Sequence, residues 1–179
     1  RGKIKPAGAL DYGSFVLFFP QLLAGPIVQY AEVVDQHRRK PQWGEVGRNI
    51  LIGLAIFAIG LFKKTVIADT LALYASPIFV GVGEGNAIGM VDAWIAAFAY
   101  TAQVYFDFSG YSDMAIGTAR MLGIVLPLNF LSPLRSQSVV EIWRRWHATL
   151  GRWVQLYIFQ PVAVPCARFA AMRGLGKWG

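Results

Sequence analysis

Asn49-Ile-Leu-Ile-Gly-Leu-Ala-Ile-Phe-Ala-Ile-Gly-Leu-Phe62 carries no charge until Lys63-Lys64, and a second apolar stretch then reaches Val82. At a rise of about 1.5 Å per residue the first part alone covers about 20 Å. That is short of the roughly 30 Å hydrocarbon core of a bilayer. Three readings stay open: a tilted helix, a re-entrant one, or one continuous with the second apolar stretch while the two lysines snorkel. Each places the chain in a membrane. Composition agrees, since 55% of the 179 residues are hydrophobic and only 15% are charged. A soluble domain carries about 25% charged residues, and the mean hydropathy of +0.45 points the same way.

The flanking segments extend this reading. Tyr12 to Tyr30 is uncharged and just long enough to span, but Pro20, Gly25 and Pro26 interrupt it. A helix is expected to break there, and broken backbone at membrane depth survives only against protein or a water-filled cavity. Residues 31 to 48, with His37-Arg38-Arg39-Lys40, are expected to form a cytoplasmic loop. No lysine or arginine occurs from Thr65 to Ala119, so the Gly-rich loop around Glu84 is expected on the other side. Asp92 to Val104 then returns, and Met114 to Leu131 is expected as a further apolar segment. The chain starts at Arg1 and ends in Gly-Leu-Gly-Lys-Trp-Gly179, which reads as an internal piece of a longer polytopic protein, residues 1–179 forming part of one domain. The expected fold class is all-α: a polytopic membrane helical piece with broken or re-entrant helices and an amphipathic interfacial helix.

The net charge of +7 does not indicate nucleic acid. Basic residues flank apolar segments as the positive-inside rule expects, and no phosphate loop, zinc spacing or RNA motif accompanies them. The expected partner is the lipid bilayer. Cys166 is the only cysteine, which excludes an internal disulfide, and no residue spacing suggests a metal.

Two polar constellations carry the chemistry. Tyr105-Phe-Asp-Phe-Ser-Gly-Tyr-Ser-Asp113 sets Asp107 and Asp113 beside Ser109 and Tyr111. Aspartate in hydrocarbon is disfavoured by about 2.5–3.5 kcal/mol, so both carboxylates require partners. Arg120, seven residues after Asp113 and on the same helical face, is the nearest candidate in sequence. The second constellation is Glu141-Ile-Trp-Arg-Arg-Trp-His-Ala-Thr-Leu150. Ser138 and Glu141 form a capping-box pattern, and Glu141 is placed to pair with Arg145 one turn on. If the helix runs through, Trp143, Trp146 and His147 share a broad apolar face with Leu150 and Tyr157, opposite Arg144 and Arg145. Such a helix suits a membrane interface. His147 titrates near neutrality and is the candidate for proton transfer; a packed, hydrogen-bonded histidine is the competing reading.

These strings resemble the membrane-bound O-acyltransferase family, in particular its alginate O-acetyltransferase membrane-subunit branch. The resemblance rests on Phe19-Pro-Gln-Leu-Leu-Ala-Gly-Pro-Ile27, Gly60-Leu-Phe-Lys-Lys-Thr-Val-Ile-Ala-Asp69, Val104-Tyr-Phe-Asp-Phe-Ser-Gly-Tyr-Ser-Asp-Met-Ala-Ile-Gly117, Leu126-Pro-Leu-Asn-Phe130 and Ile142-Trp-Arg-Arg-Trp-His-Ala-Thr-Leu150, in the family's order. It implies a ring of helices around a tunnel in a bacterial inner membrane. It also implies O-acylation without a bound cofactor. Acetyl-CoA or another cytoplasmic thioester is the donor, and an exopolysaccharide, reached directly or through a partner acetyltransferase, is the acceptor. His147 matches the first of the family's two histidines; the second, the one regarded as the family's catalytic centre, is expected beyond Gly179, so these residues alone are expected to be inactive. Asp107, Ser109, Tyr111, Asp113, Trp143, Arg144 and Trp146 are then expected to line the tunnel or bind substrate. The chain departs from the family at Gln155-Leu-Tyr157 and Gln160-Pro161. A transporter or flippase subunit, or an export-complex scaffold, is the alternative reading, and inverted repeats would favour the transporter.

Overall fold

A computed structural model describes residues 8–22, 25–39 and 43–173. All regular structure among these residues is helical. The chain divides into two compact units, residues up to Pro127 and residues from Leu128. Lys40 of the basic run and the Gly-rich C-terminal residues lie outside the described residues.

In the first unit, helix α1 (Ala9–Val16) stops before Pro20, and a 3-10 turn (Phe19–Gln21) comes next. The expected break therefore occurs. Helix α2 (Tyr30–His37) occupies part of the segment that reads as a loop in the sequence. Its capping box explains this: Glu32 accepts the backbone N–H of Gln29 at 3.0 Å, and the Gln29 side chain returns the contact. Val33 and Val34 on α2 are buried, which gives the short helix an apolar face to dock.

Helix α3 (Trp43–Phe62), a π-helical turn (Lys63–Ala68) and helix α4 (Asp69–Gly83) form one uninterrupted helical run. This decides among the three open readings: the two lysines do not end the helix. Gly44–Gly83, 40 residues, is the one stretch among those described that is long and apolar enough to cross a membrane by length and composition. Many of its large apolar side chains face outward, Leu73 at 73% exposure among them, as lipid contact requires. The bend at residues 84–89 uses Gly85 at φ 89°, and helix α5 (Met90–Met121) runs back along α3 and α4. The two segments expected at Asp92–Val104 and Met114–Leu131 are thus corrected to a single helix that includes the whole Phe-Asp-Phe-Ser-Gly-Tyr-Ser-Asp run. It ends in a Schellman motif. Gly123, at φ 82°, donates to the Arg120 carbonyl and Ile124 to the Ala119 carbonyl, each at 2.9 Å.

The crossing of α3 and α5 is set by four glycines. A Cβ on Gly53 would lie 2.6 Å from the Gly117 carbonyl oxygen, and one on Gly60 would lie 2.6 Å from that of Gly110. The reciprocal Cβ atoms on Gly117 and Gly110 would meet the Gly53 and Gly60 carbonyls at 2.6 and 2.7 Å. Small residues permit this backbone approach, the usual device of helix pairs in membranes. Phe18, Val33, Ile116, Ala119, Ile124 and Leu126 form the apolar core of the unit.

The second unit contains a 3-10 turn (Pro133–Arg135), helix α6 (Val139–Arg145), helix α7 (Ala148–Val154), a π-helical turn (Gln155–Phe159) and helix α8 (Gln160–Met172). The Ser138 hydroxyl caps α6 by accepting the Glu141 N–H at 3.2 Å. The Glu141 carboxylate accepts from Gln137 N–H at 2.9 Å and pairs with Arg145 at 2.6 Å. The cap and the ion pair are as the sequence implies. The continuous amphipathic helix is not: α6 ends at Arg145, Trp146 is extended, and His147 is left-handed at φ 44°, ψ 51°.

Candidate functional site

The break at His147 has a backbone cause. Leu131 N–H donates to the Arg145 carbonyl at 2.9 Å, and Ala148 N–H donates to the Asn129 carbonyl at 2.8 Å. In a continuous helix the Ala148 N–H would bond to the residue four positions earlier. The 129–131 segment instead takes up these groups and parts the helix into α6 and α7. A left-handed non-glycine residue costs about 1–2 kcal/mol, and the two cross-segment bonds hold it there.

That geometry fixes the imidazole. His147 Nδ1 lies 2.8 Å from Asn129 Oδ1, and the Thr149 hydroxyl donates to the same oxygen at 2.9 Å. Asn129 and Thr149 are both buried. An amide oxygen only accepts, so Nδ1 carries the proton and Nε2 is the basic nitrogen. Burial holds the imidazole below the ordinary histidine pKa, because desolvation disfavours its charged form. Phe130 stands edge-on to Trp146 with centroids 5.2 Å apart and lies 6.3 Å from the His147 ring. The arrangement favours the neutral imidazole and sets it beside aromatic rings. Asn129 and Thr149, which carry this arrangement, have no distinguishing signal in the sequence beyond their places in the Leu126–Phe130 and Ile142–Leu150 strings.

In the first unit the two carboxylates are paired with lysines. Lys63 Nζ is 2.6 Å from Asp113, while Lys64 reaches Asp107 at 3.0 Å and Asp69 at 2.5 Å. Arg120 is therefore not the counter-ion of Asp113. The close glycine crossing brings α3 near enough to α5 for the lysines to serve instead. Lys63 and Lys64, at the start of the π-helical turn, thus reach two separate carboxylates on α5. Ser109, on the same helix, is buried, and its hydroxyl has no hydrogen-bond partner among the described residues. Tyr111 lines a small cleft of about 220 Å³ with Phe19, Pro20, Phe57 and Met114.

The expected site residues thus fall into two groups. Asp107, Ser109, Tyr111 and Asp113 lie on α5 in the first unit, and Asp107 and Asp113 share the Lys63-Lys64 pair. Trp146 and His147 sit together at the α6–α7 junction of the second unit, while Trp143 and Arg144 are exposed on α6. Among the described residues no group of three or more His, Cys, Asp or Glu side chains converges as a metal would need.

Residues 1–173 match the model of the membrane-bound O-acyltransferase family. The chain is similar to the peptidoglycan O-acetyltransferase of Helicobacter pylori, 46% identical over 153 residues, 86% of this chain and 28% of that protein. It is also similar to the probable alginate O-acetylase AlgI of Pseudomonas aeruginosa, 43% identical over 150 residues, 84% of this chain and 28% of the relative. A teichoic acid D-alanyltransferase of Bacillus subtilis matches at 28% identity over 145 residues, 81% of the chain and 36% of that protein. The chain therefore spans about 28% of the length of the first two relatives.

Proposed function

The chain belongs to the membrane-bound O-acyltransferase family, and on that premise we propose that the protein transfers an acyl group, in the first place acetyl, from a thioester donor to a hydroxyl of an extracytoplasmic polysaccharide. The acceptor is reached directly or through a partner acetyltransferase, from a multi-pass position in a bacterial inner membrane. The names of the relatives specify alginate, peptidoglycan and teichoic acid, so a surface polymer is a sounder assignment than alginate alone.

The observation that carries the proposal is the 2.8 Å contact between His147 Nδ1 and Asn129 Oδ1, which favours the tautomer with its proton on Nδ1. In the proposed step, Nε2 accepts the proton of the acceptor hydroxyl as its oxygen adds to the thioester carbonyl. Collapse of the tetrahedral adduct breaks the C–S bond, and the imidazolium returns its proton to the leaving sulfur. The products are an ester and a free thiol. A second histidine elsewhere in the protein shares this proton transfer. Trp143, Arg144 and Trp146, with Asp107, Ser109, Tyr111 and Asp113, line the path of the substrates. General acid–base catalysis of this kind contributes about 10²–10⁴-fold.

The test is transfer of labelled acetyl from acetyl-CoA to polymer by membranes containing the whole protein, wild type against His147→Asn. Asparagine tolerates the left-handed backbone and so separates loss of the base from loss of the junction. A fall of about 10²-fold or more is expected. Unchanged transfer removes His147 from the mechanism, and no transfer by the wild type refutes the acyl-transfer reading.

A further inference from the structure

A cleft of about 470 Å³ opens in the first unit where the N-terminal turns of α3 meet the C-terminal end of α5. One wall is tied in place. Gln36 on α2 accepts the Val125 N–H at 2.9 Å and donates to the Val125 carbonyl at 3.2 Å, which fastens α2 to the turn after α5. The cleft is lined by Arg39, Arg48, Arg120 and His37, with Glu45 its only carboxylate among the described residues. Glu45 lies 3.5 Å from Arg39, so that charge is balanced. Arg48 and Arg120 have no ion-pair or side-chain hydrogen-bond partner among the described residues. His37 Nε2 is buried without a hydrogen-bond partner there, while Phe18 holds its ring edge-on at 5.2 Å.

We propose that this cleft binds a phosphate-bearing anion. A buried polar atom without a partner is costly, and Arg48 and Arg120 add two cations to the lining of the same cleft. Arg48 on α3 and Arg120 on α5 line the cleft from different helices, and His37 lines it from α2. A planar carboxylate is satisfied by one fork in bidentate contact. Phosphate presents oxygens in several directions, so both forks and the imidazole are engaged at once. The rim is apolar, with Leu122 and Val125 exposed beside the cleft, and the site stands at the start of the Gly44–Gly83 span. The phosphate belongs either to a lipid headgroup or to a soluble phosphate or diphosphate.

The two sources separate experimentally. The whole protein in phosphatidylcholine nanodiscs is titrated calorimetrically with inorganic pyrophosphate. In parallel, protein exchanged into mixed phosphatidylcholine and phosphatidylglycerol is examined by native mass spectrometry for retained phosphatidylglycerol. Binding in the first arm assigns a soluble ligand, and retention in the second assigns a headgroup. In whichever arm binds, Arg120→Gln and Arg48→Gln each weaken binding about tenfold, the loss of one charge-assisted hydrogen bond. Arg48 is exposed on α3, so its replacement leaves the fold intact if Arg120→Gln does not. His147→Asn binds as the wild type does, which separates this site from the acyl-transfer reading. No binding in either arm, or wild-type affinity in both arginine variants, overturns the proposal.

Discussion

Replacing Gly60 by alanine tests the packing that brings the two lysines to their carboxylates. The new Cβ would stand 2.6 Å from the Gly110 carbonyl oxygen, 2.7 Å from the Met114 nitrogen and 3.0 Å from Asp113 Cβ. Two of these neighbours are backbone of α5, so no side chain can swing aside to relieve the clash. Ordinary contact begins at 3.4 Å, so the helices must part by the difference, roughly 0.8 Å at this level. Overpacking of this kind costs about 1–3 kcal/mol. Alanine recovers about 1 kcal/mol of helix propensity over glycine, leaving a net loss of roughly 0–2 kcal/mol. Gly47→Ala supplies the control. It lies in the same helix with nothing within 4 Å of its Cβ, so only the propensity gain applies. Thermal unfolding of the whole protein in one detergent, followed by intrinsic fluorescence, should place Gly60→Ala below wild type and Gly47→Ala at or above it. If Gly60→Ala is as stable as Gly47→Ala, the close crossing is not a feature of the folded protein.

Other expectations concern the polar groups. A double-mutant cycle with Lys63→Met and Asp113→Asn should give a favourable coupling of about 1–2 kcal/mol, larger than at a fully exposed pair because both side chains are only 25% exposed; no coupling would leave the 2.6 Å contact without energetic weight. The lowered pKa of His147 sets the sign of a pH dependence. The unfolded chain binds the proton more readily than the folded one, so the contribution of neutral His147 is fully present above the ordinary histidine pKa of about 6.5 and is lost as pH falls below it through the folded value. The acid limb of acetyl transfer should accordingly lie below about pH 6.5. Asn129→Asp puts a carboxylate against Nδ1, favours the imidazolium and should move that limb upward. A pH–rate profile unmoved by Asn129→Asp would show that His147 is not the titrating group.

Where the sequence is readable, one residue type decides the matter locally. Pro20 with Gly25 and Pro26 marks the break after α1, Ser138 and Glu141 specify a helix start, and an uncharged run as long as that around Asn49 reads as membrane. The loop expected at 31–48 fails because charge density there hides the capping signal: Gln29 and Glu32 start a helix, and Val33 and Val34 dock it. Polarity misleads at Asp92–Leu131, where Asp107, Asp113 and Ser109 suggest an interruption. The two carboxylates are met by Lys63 and Lys64 across the glycine crossing, so the helix has no reason to end. Arg120 is the partner that spacing within one helix suggests. The true partner of Asp113 lies 50 residues earlier, a relation that periodicity along one helix does not contain.

The junction at His147 is the deepest failure of periodicity. From Val139 to Tyr157 the residues keep a helical repeat, and local preference alone would carry the helix through. A chain that abandons a favourable local structure needs tertiary bonds to hold the alternative, and such conflicts gather at functional sites. Here the bonds are the Leu131 and Ala148 amides, and their effect is specific to one side chain. A histidine within an unbroken helix would project from a face with its tautomer set by whatever it met. At the break, the same segment that parts the helix also delivers Asn129 to Nδ1 and Thr149 to Asn129. The backbone strain and the protonation state thus have one source, the 129–131 segment. In the proposed reaction, a base that accepts a proton at Nε2 gains from a partner at Nδ1 that holds the ring in one orientation.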